Sequence, residues 1–252
     1  MMQINLMYLA YITLVVVAAP IFFLAGVKLL LKYLSDKEKK QTFFFSWIFF
    51  GGTAGIALLI IEQIIMGVYF PNVVFEVPLD FLKGDPIAEL ARLIVSLAIA
   101  CTFFSIMGGI LFAAYFLPEK YRKPITVILG GLCLVYVWLY YSLPGYTWIR
   151  HPEIYEYAHS GIEELLLVGL FLIPVWFSVL LLAYGTFSIR HGEALMVRRS
   201  LLLTIGQIIV CIAYSFQIVY PTIISAIGFF VYPIWMYICF TMPEWLRKFL
   251  EK

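Results

Sequence analysis

Charge is scarce in this chain. Only 13% of its 252 residues are Asp, Glu, Lys or Arg, against about 25% in a soluble domain of ordinary composition. So little charge cannot cover a water-exposed surface, which excludes a soluble globular body of any size. Histidine is scarcer still, with three residues in total. The four cysteines, Cys101, Cys133, Cys211 and Cys239, all fall inside apolar runs, and none forms a CxxC pair. That excludes a disulfide framework and a cysteine metal site, and leaves buried thiols. The net charge of +2 gives no field for a nucleic-acid partner. No basic segment precedes the first apolar run, and that run passes straight through Ala18-Ala19-Pro20. A retained helix is therefore expected there, not a cleaved leader.

What the chain has is long apolar sequence. It is 63% hydrophobic, with a mean hydropathy of +0.98. A helix needs about 20 apolar residues to cross a bilayer, and seven stretches qualify: 6–31, 42–69, 87–117, 125–143, 161–187, 201–219 and 222–240. The expected fold is an all-α integral membrane protein, a seven-transmembrane-helix bundle over residues 1–241, multi-pass in the cell membrane with the lipid bilayer as its first partner. Residues 242–252 read as a short interfacial C-terminal helix, with Trp245, Leu246, Phe249 and Leu250 on one face and Arg247, Lys248 and Glu251 on the other.

Basic residues orient the bundle. Lys28, Lys32, Lys37, Lys39, Lys40, Lys120, Arg122, Lys123, Arg190, Arg198, Arg199, Arg247, Lys248 and Lys252 fall on one side. The other side has Lys83, Arg92 and Arg150. The N-terminus is expected outside and the C-terminus in the cytoplasm.

Ionisable residues inside spans point to sites. Glu62, with Gln63 beside it, lies within the second span, where a carboxylate costs roughly 2.5–3.5 kcal/mol on insertion scales. Glu62 is about 12 Å from the outer end of its span and Arg92 about 9 Å from the outer end of the next, at 1.5 Å per residue. A Glu62–Arg92 pair is the expected floor of an outward-facing polar pocket. Gln207 and Gln217 on the sixth span extend the candidate ligand-binding set. Together with Ser96, Thr102 and Ser105 on the third, they read equally as interhelical hydrogen-bonding glue. In the outer connector, Glu156, His159 and Glu163 fall at i, i+3 and i+7 if the fifth helix starts early. Such a face could hold a metal ion, although no HExxH is present and His151 and Glu153 add no further pattern. The bland reading is a solvated helix start with its acidic residues at the N-terminus.

Known heptahelical families test these readings. Glu163-Glu164 followed by Leu165-Leu166-Leu167-Val168 resembles the EExxxR motif of intramembrane CAAX-type proteases, but Val168 stands where the arginine belongs. The last span has no lysine for a retinal Schiff base. Pro118-Glu119-Lys120 and Tyr232-Pro233-Ile234-Trp235-Met236 replace the DRY and NPxxY sequences of G-protein-coupled receptors. Three histidines do not suffice for an adiponectin-receptor-type hydrolase. Pro20-Ile21-Phe22-Phe23 and Pro174-Val175-Trp176-Phe177 loosely align the first and fifth spans, a plan similar to SWEET-type sugar transporters.

Tyr232-Pro233-Ile234-Trp235 running into Met242-Pro243-Glu244-Trp245-Leu246-Arg247 resembles the seven-span sensory domains that precede kinase or output domains in prokaryotic signalling proteins. The resemblance implies a receptor whose output comes from a separate cytoplasmic or membrane partner. The leading expectation is a receptor- or transducer-type protein that binds a small ligand, lipid or membrane partner in the outer half of the bundle. A small-solute transporter is the alternative. A metal-dependent intramembrane enzyme and a structural subunit of a membrane complex rank below both. No cofactor is expected.

Overall fold

The structure is a computed structural model that describes residues 6–37, 40–70, 79–115, 117–144, 146–150, 155–159, 161–188, 194–219 and 223–251. Its helices are α1 (Leu6–Ser35), α2 (Lys40–Tyr69), α3 (Pro86–Ala114), α4 (Glu119–Ser142), α5 (Gly161–Ser188), α6 (Ala194–Val219), α7 (Ile223–Thr241) and α8 (Glu244–Glu251). A 3-10 turn, Asp80–Leu82, precedes α3, and two strands, β1 (Tyr146–Arg150) and β2 (Tyr155–His159), lie between α4 and α5. Among the described residues, six helices, α1 to α5 and α7, are long and apolar enough to cross a membrane. This is a helical membrane protein. α6 is also long, at 26 residues.

The long helices alternate in direction. Gly51 of α2 lies against Cys101 and Ser105 of α3, Gly55 against Ala98 and Thr102, and Gly108 against Phe44, Trp47 and Ile48. Each step forward on α2 is met by a step back on α3, so the pair is antiparallel. These are close contacts: a Cβ on Gly51 would stand 2.5 Å from Ser105 N. Only small residues let two backbones approach this far, which is how helices gain packing in lipid. Ser105 Oγ crosses the interface to donate to Ile48 O at 2.6 Å. α6 and α7 are antiparallel by the same logic, with Gly206 on Trp235 and Met236, and Gly228 on Ala213. α1 and α7 run parallel: Phe22 meets Tyr232 with ring centroids 6.2 Å apart, Lys28 lies over Tyr237 and Lys32 over Phe240.

Alternation sorts the charges into two ends. At the basic end, arginines close helix C-termini whose last carbonyls lack intrahelical partners. Arg122 donates to Leu117 O at 3.0 Å and Tyr115 O at 3.1 Å. Arg199 donates to Cys239 O at 3.2 Å and to Phe240 O. Between them, Phe45 stacks on Phe240 at 4.2 Å and meets Phe112 at 4.8 Å. The chain leaves α7 through Met242, whose φ of +50° turns it into α8. There Leu246 and Leu250 are buried while Trp245 and Phe249 stay exposed, and Arg198 donates to Leu250 O. The four apolar residues share one side of α8, with Leu246 and Leu250 turned to the bundle and Trp245 and Phe249 left outward.

The opposite end carries the hairpin. In the connector after the fourth span β1 and β2 pair antiparallel, Tyr146 opposite His159 and Trp148 opposite Tyr157. Tyr-Thr-Trp-Ile-Arg and Tyr-Glu-Tyr-Ala-His are rich in the residues strands favour. A lone two-stranded ribbon is marginal in water. This one is held by Trp148, 1% exposed, and by Leu79 N donating to Trp148 O at 2.8 Å.

Candidate functional site

α3 begins where the sequence dictates. Asp85 Oδ1 accepts from Ile87 N at 2.8 Å and Ala88 N at 3.1 Å, with Pro86 at the first helical position. This is the cap that leaves the helix dipole best satisfied. One turn on stand Glu89 and then Arg92. Arg92 Nη1 donates to Glu89 Oε2 at 3.0 Å, and Nη2 donates to Tyr141 O. The guanidinium lies 4.0 Å from the Tyr146 ring centroid and 4.7 Å from that of Tyr141, contacts worth about 0.5–2 kcal/mol each. Tyr146 Oη donates to Glu89 Oε1. Burial, and the Glu89 carboxylate it bonds, hold the Tyr146 phenol above its ordinary range. Lys83 Nζ donates to Pro144 O at 3.0 Å, and Thr147 Oγ1 to Asp80 Oδ1 at 3.1 Å. These bonds latch the hairpin across the ends of α3 and α4.

The expected Glu62–Arg92 ion pair does not form. The two residues do share a level: continued by seven residues, the α2–α3 register brings Glu62 opposite 91–95. They do not share a face. The α3 positions that meet α2 are Ala98, Thr102, Ser105 and Gly108. Stepping back by three and four gives Val95 and Ala91, both buried. Arg92 sits off that face, turned to α4 and β1.

Glu62 is therefore enclosed with no cation paired to it among the described residues. It is 1% exposed. Its Oε2 accepts from Gln63 Nε2 at 2.7 Å, and its Oε1 has no hydrogen-bond partner among the described residues. A buried carboxylate oxygen left open carries the full desolvation cost of that atom, about 1–3 kcal/mol or more.

Gln207 lies elsewhere. Its Nε2 donates to Ser178 Oγ at 2.8 Å and its Oε1 accepts from Tyr232 Oη at 3.2 Å, joining α5, α6 and α7. Tyr232 packs on Phe22, which in turn lies against Gly52. Glu62 is ten residues further along α2, roughly 15 Å at 1.5 Å per residue. The structure does not bring Gln207 to Glu62. Of the third-span hydroxyls, Ser96 and Thr102 bond back to Arg92 O and Ala98 O, while Ser105 alone bridges to α2.

The proposed metal face does not exist as drawn. Residues 155–159 form a strand and α5 starts at Gly161, so Glu156, His159 and Glu163 do not share one helical face. His159 is buried, with Nε2 3.0 Å from Tyr140 O and Nδ1 4.0 Å from Glu163 Oε2. Among the described residues no group of three histidine, cysteine or acidic side chains gathers to hold a metal ion. The side chains of Glu156 and Gln217, and His151 and Glu153 entirely, lie outside the described residues.

Sequence reasoning missed Glu89, Tyr141 and Tyr146, the actual surroundings of Arg92. Glu89 was findable, since an acid three residues before an arginine on a helix is its natural partner. Missed too was an aromatic column that leads from His159 into the bundle. His159 packs edge-on against Tyr140 at 5.4 Å, Tyr140 stacks on Tyr136 at 5.7 Å, and Tyr136 meets Phe103 at 4.9 Å and Phe171 at 5.5 Å. Comparison with known proteins finds no matching family model, no matching curated protein and no matching solved structure.

Proposed function

We propose that this protein is a membrane receptor or transducer whose ligand engages Glu62 beneath the hairpin end of the bundle. The observation that carries this reading is the open Oε1 of a fully enclosed carboxylate. An intramembrane carboxylate that lacks a cation is an acceptor held ready for a donor. The fitting ligand is small and brings an N–H, O–H or cationic group to that oxygen. Arg92 acts as a positioning residue: through Glu89, Tyr141 and Tyr146 it holds the hairpin over the site. A ligand that shifts α2 against α3 moves a glycine-packed pair, and that pair reaches the basic end at Gly108 and Phe45.

In this reading all seven long helices cross the cell membrane, α6 included. The N-terminus and hairpin face outside and α8 lies at the cytoplasmic interface. The gathering of lysine and arginine at one end supports the orientation, and the outward Trp245 and Phe249 beside Arg247 and Lys248 support an interfacial α8. The output passes to a protein partner at that surface.

The test is a thermal-unfolding screen of the purified protein against metabolites, lipids and metal ions, with Glu62→Gln and Arg92→Gln beside the wild type. A ligand at a hundredfold excess over its Kd raises stability by about 2.7 kcal/mol. A compound that shifts the wild type, fails on Glu62→Gln and binds more weakly to Arg92→Gln supports the reading. A wild type that no compound shifts, with both variants melting early, makes Glu62 scaffolding and overturns it. Solute uptake into proteoliposomes containing this protein alone would replace the receptor with a transporter.

A further inference from the structure

A second place on the molecule lies well away from Glu62. Between α1 and α7, on the outside of the bundle, a groove of about 200 Å3 is walled by Ile21, Leu24, Ala25, Ile234 and Ile238. Its walls are apolar from Ile21 to Lys28, seven residues or roughly 10 Å along α1. At the basic end it stops at Lys28 and Tyr237, with the Lys28 ammonium 5.6 Å from the Tyr237 ring centroid. One turn beyond, the Lys32 ammonium stands 5.8 Å from the Phe240 ring. Both lysines are exposed, and neither has a carboxylate partner among the described residues. Two like charges at i and i+4 repel one another on a helix. Here each lies over an aromatic ring, and among the described residues no carboxylate lines the groove.

We propose that the α1–α7 groove binds an anionic phospholipid, one acyl chain in the apolar trough and the phosphate bridging Lys28 and Lys32. The two halves of the groove match the two halves of that molecule. The trough, left open to the bilayer, suits a flexible chain. The paired ammonium groups, without an ion-pair partner among the described residues, suit a phosphate with net negative charge. A zwitterionic headgroup brings its own cation to the same place and loses the advantage. Lysine stems lying along apolar surface with their heads at the interface present the charge at headgroup height. The site is independent of the receptor reading and stands without it.

The test uses the full chain in detergent with equal amounts of phosphatidylglycerol and phosphatidylcholine, and reads retained lipid by native mass spectrometry. The wild type should retain phosphatidylglycerol in clear preference. Each lysine near an anionic headgroup is worth about fivefold in binding. Lys28→Gln should therefore cut the preference about fivefold, and Lys28→Gln with Lys32→Gln should abolish it. Leu24→Trp, at a 59% exposed position, should crowd the trough and lower retention of both lipids while leaving the preference among what remains. Lys120→Gln, at the same end but on α4, should change nothing. Equal retention of the two lipids by the wild type overturns the proposal. So does a preference that survives loss of both lysines, or one that falls equally in Lys120→Gln. Competition by glycerol phosphate, which has the phosphate and no chain, as strong as that of the lipid would also overturn it.

Discussion

Gln207 and Glu62 are both enclosed polar side chains of long helices, and the bundle treats them differently. Gln207 has a donor and an acceptor, and each finds a partner on a different neighbouring helix. Its polarity is used up in holding α5, α6 and α7 together. Glu62 has two acceptor oxygens and one donor nearby, on the adjacent residue of its own helix. It joins nothing across the α2–α3 interface. In lipid, a satisfied amide is cohesion, whereas a half-satisfied carboxylate costs stability. The difference separates a residue kept for the fold from one whose presence the fold alone does not account for.

The largest effect should come from breaking the frame that sets Glu62 in place. Gly51→Val puts a branched side chain where even a Cβ would stand 2.5 Å from Ser105 N. α2 and α3 must separate, at a cost of about 3 kcal/mol, read as a lower midpoint in thermal or denaturant unfolding. The next effect should have the opposite sign. Glu62→Leu removes an enclosed carboxylate and adds apolar contact, and should raise stability by about 2–3 kcal/mol. A loss of that size would mean that Glu62 is held by bonds it makes, and the contrast with Gln207 would collapse. Gln207→Leu should lower stability by about 0.6–1.7 kcal/mol, the range for interhelical hydrogen bonds in a membrane. A double-mutant cycle with Tyr232→Phe should then show coupling, because the two share one bond.

How much of this was legible beforehand follows from what periodicity encodes. Long apolar runs announced the helices: α2 was expected at 42–69 and occupies Lys40–Tyr69. The level of Arg92 against Glu62 was also legible, since depth is a count of residues. Direction was not. Ala91 and Arg92 differ by one position and 100° on the helix, and only the glycine contacts reveal which of them meets α2. The hairpin was missed because its ten strand residues, six of them aromatic or β-branched, look by hydropathy like an interfacial belt. α4 begins at Glu119 rather than near Ile125, because a charged first turn reads as a loop when spans are sought by apolarity. The small side chains that set the α2–α3 distance were present all along, but their spacing gains meaning only once the partner helix is known.

The smallest effect tests a third buried polar group, intermediate between the other two. His159 sits under the hairpin with one ring nitrogen on Tyr140 O and the other 4.0 Å from Glu163. Burial lowers its pKa below 6.5, the nearby Arg92 charge adds to that, and the Tyr140 carbonyl and Glu163 carboxylate oppose it without reversing it. The folded protein thus holds a neutral imidazole at a pH where the unfolded chain already binds a proton. Stability rises with pH wherever the unfolded state binds more protons. The contribution of His159 is therefore complete above about pH 6.5 and declines as the pH falls from there toward the lowered folded value. Melting the protein at a series of pH values across this window should show the decline in the wild type and a flatter profile in His159→Gln. If the wild type were instead stabilised by acid, the Glu163 carboxylate would be outweighing burial. His159 would then belong with Gln207, as a group bound into the fold by its partners, rather than between Gln207 and Glu62.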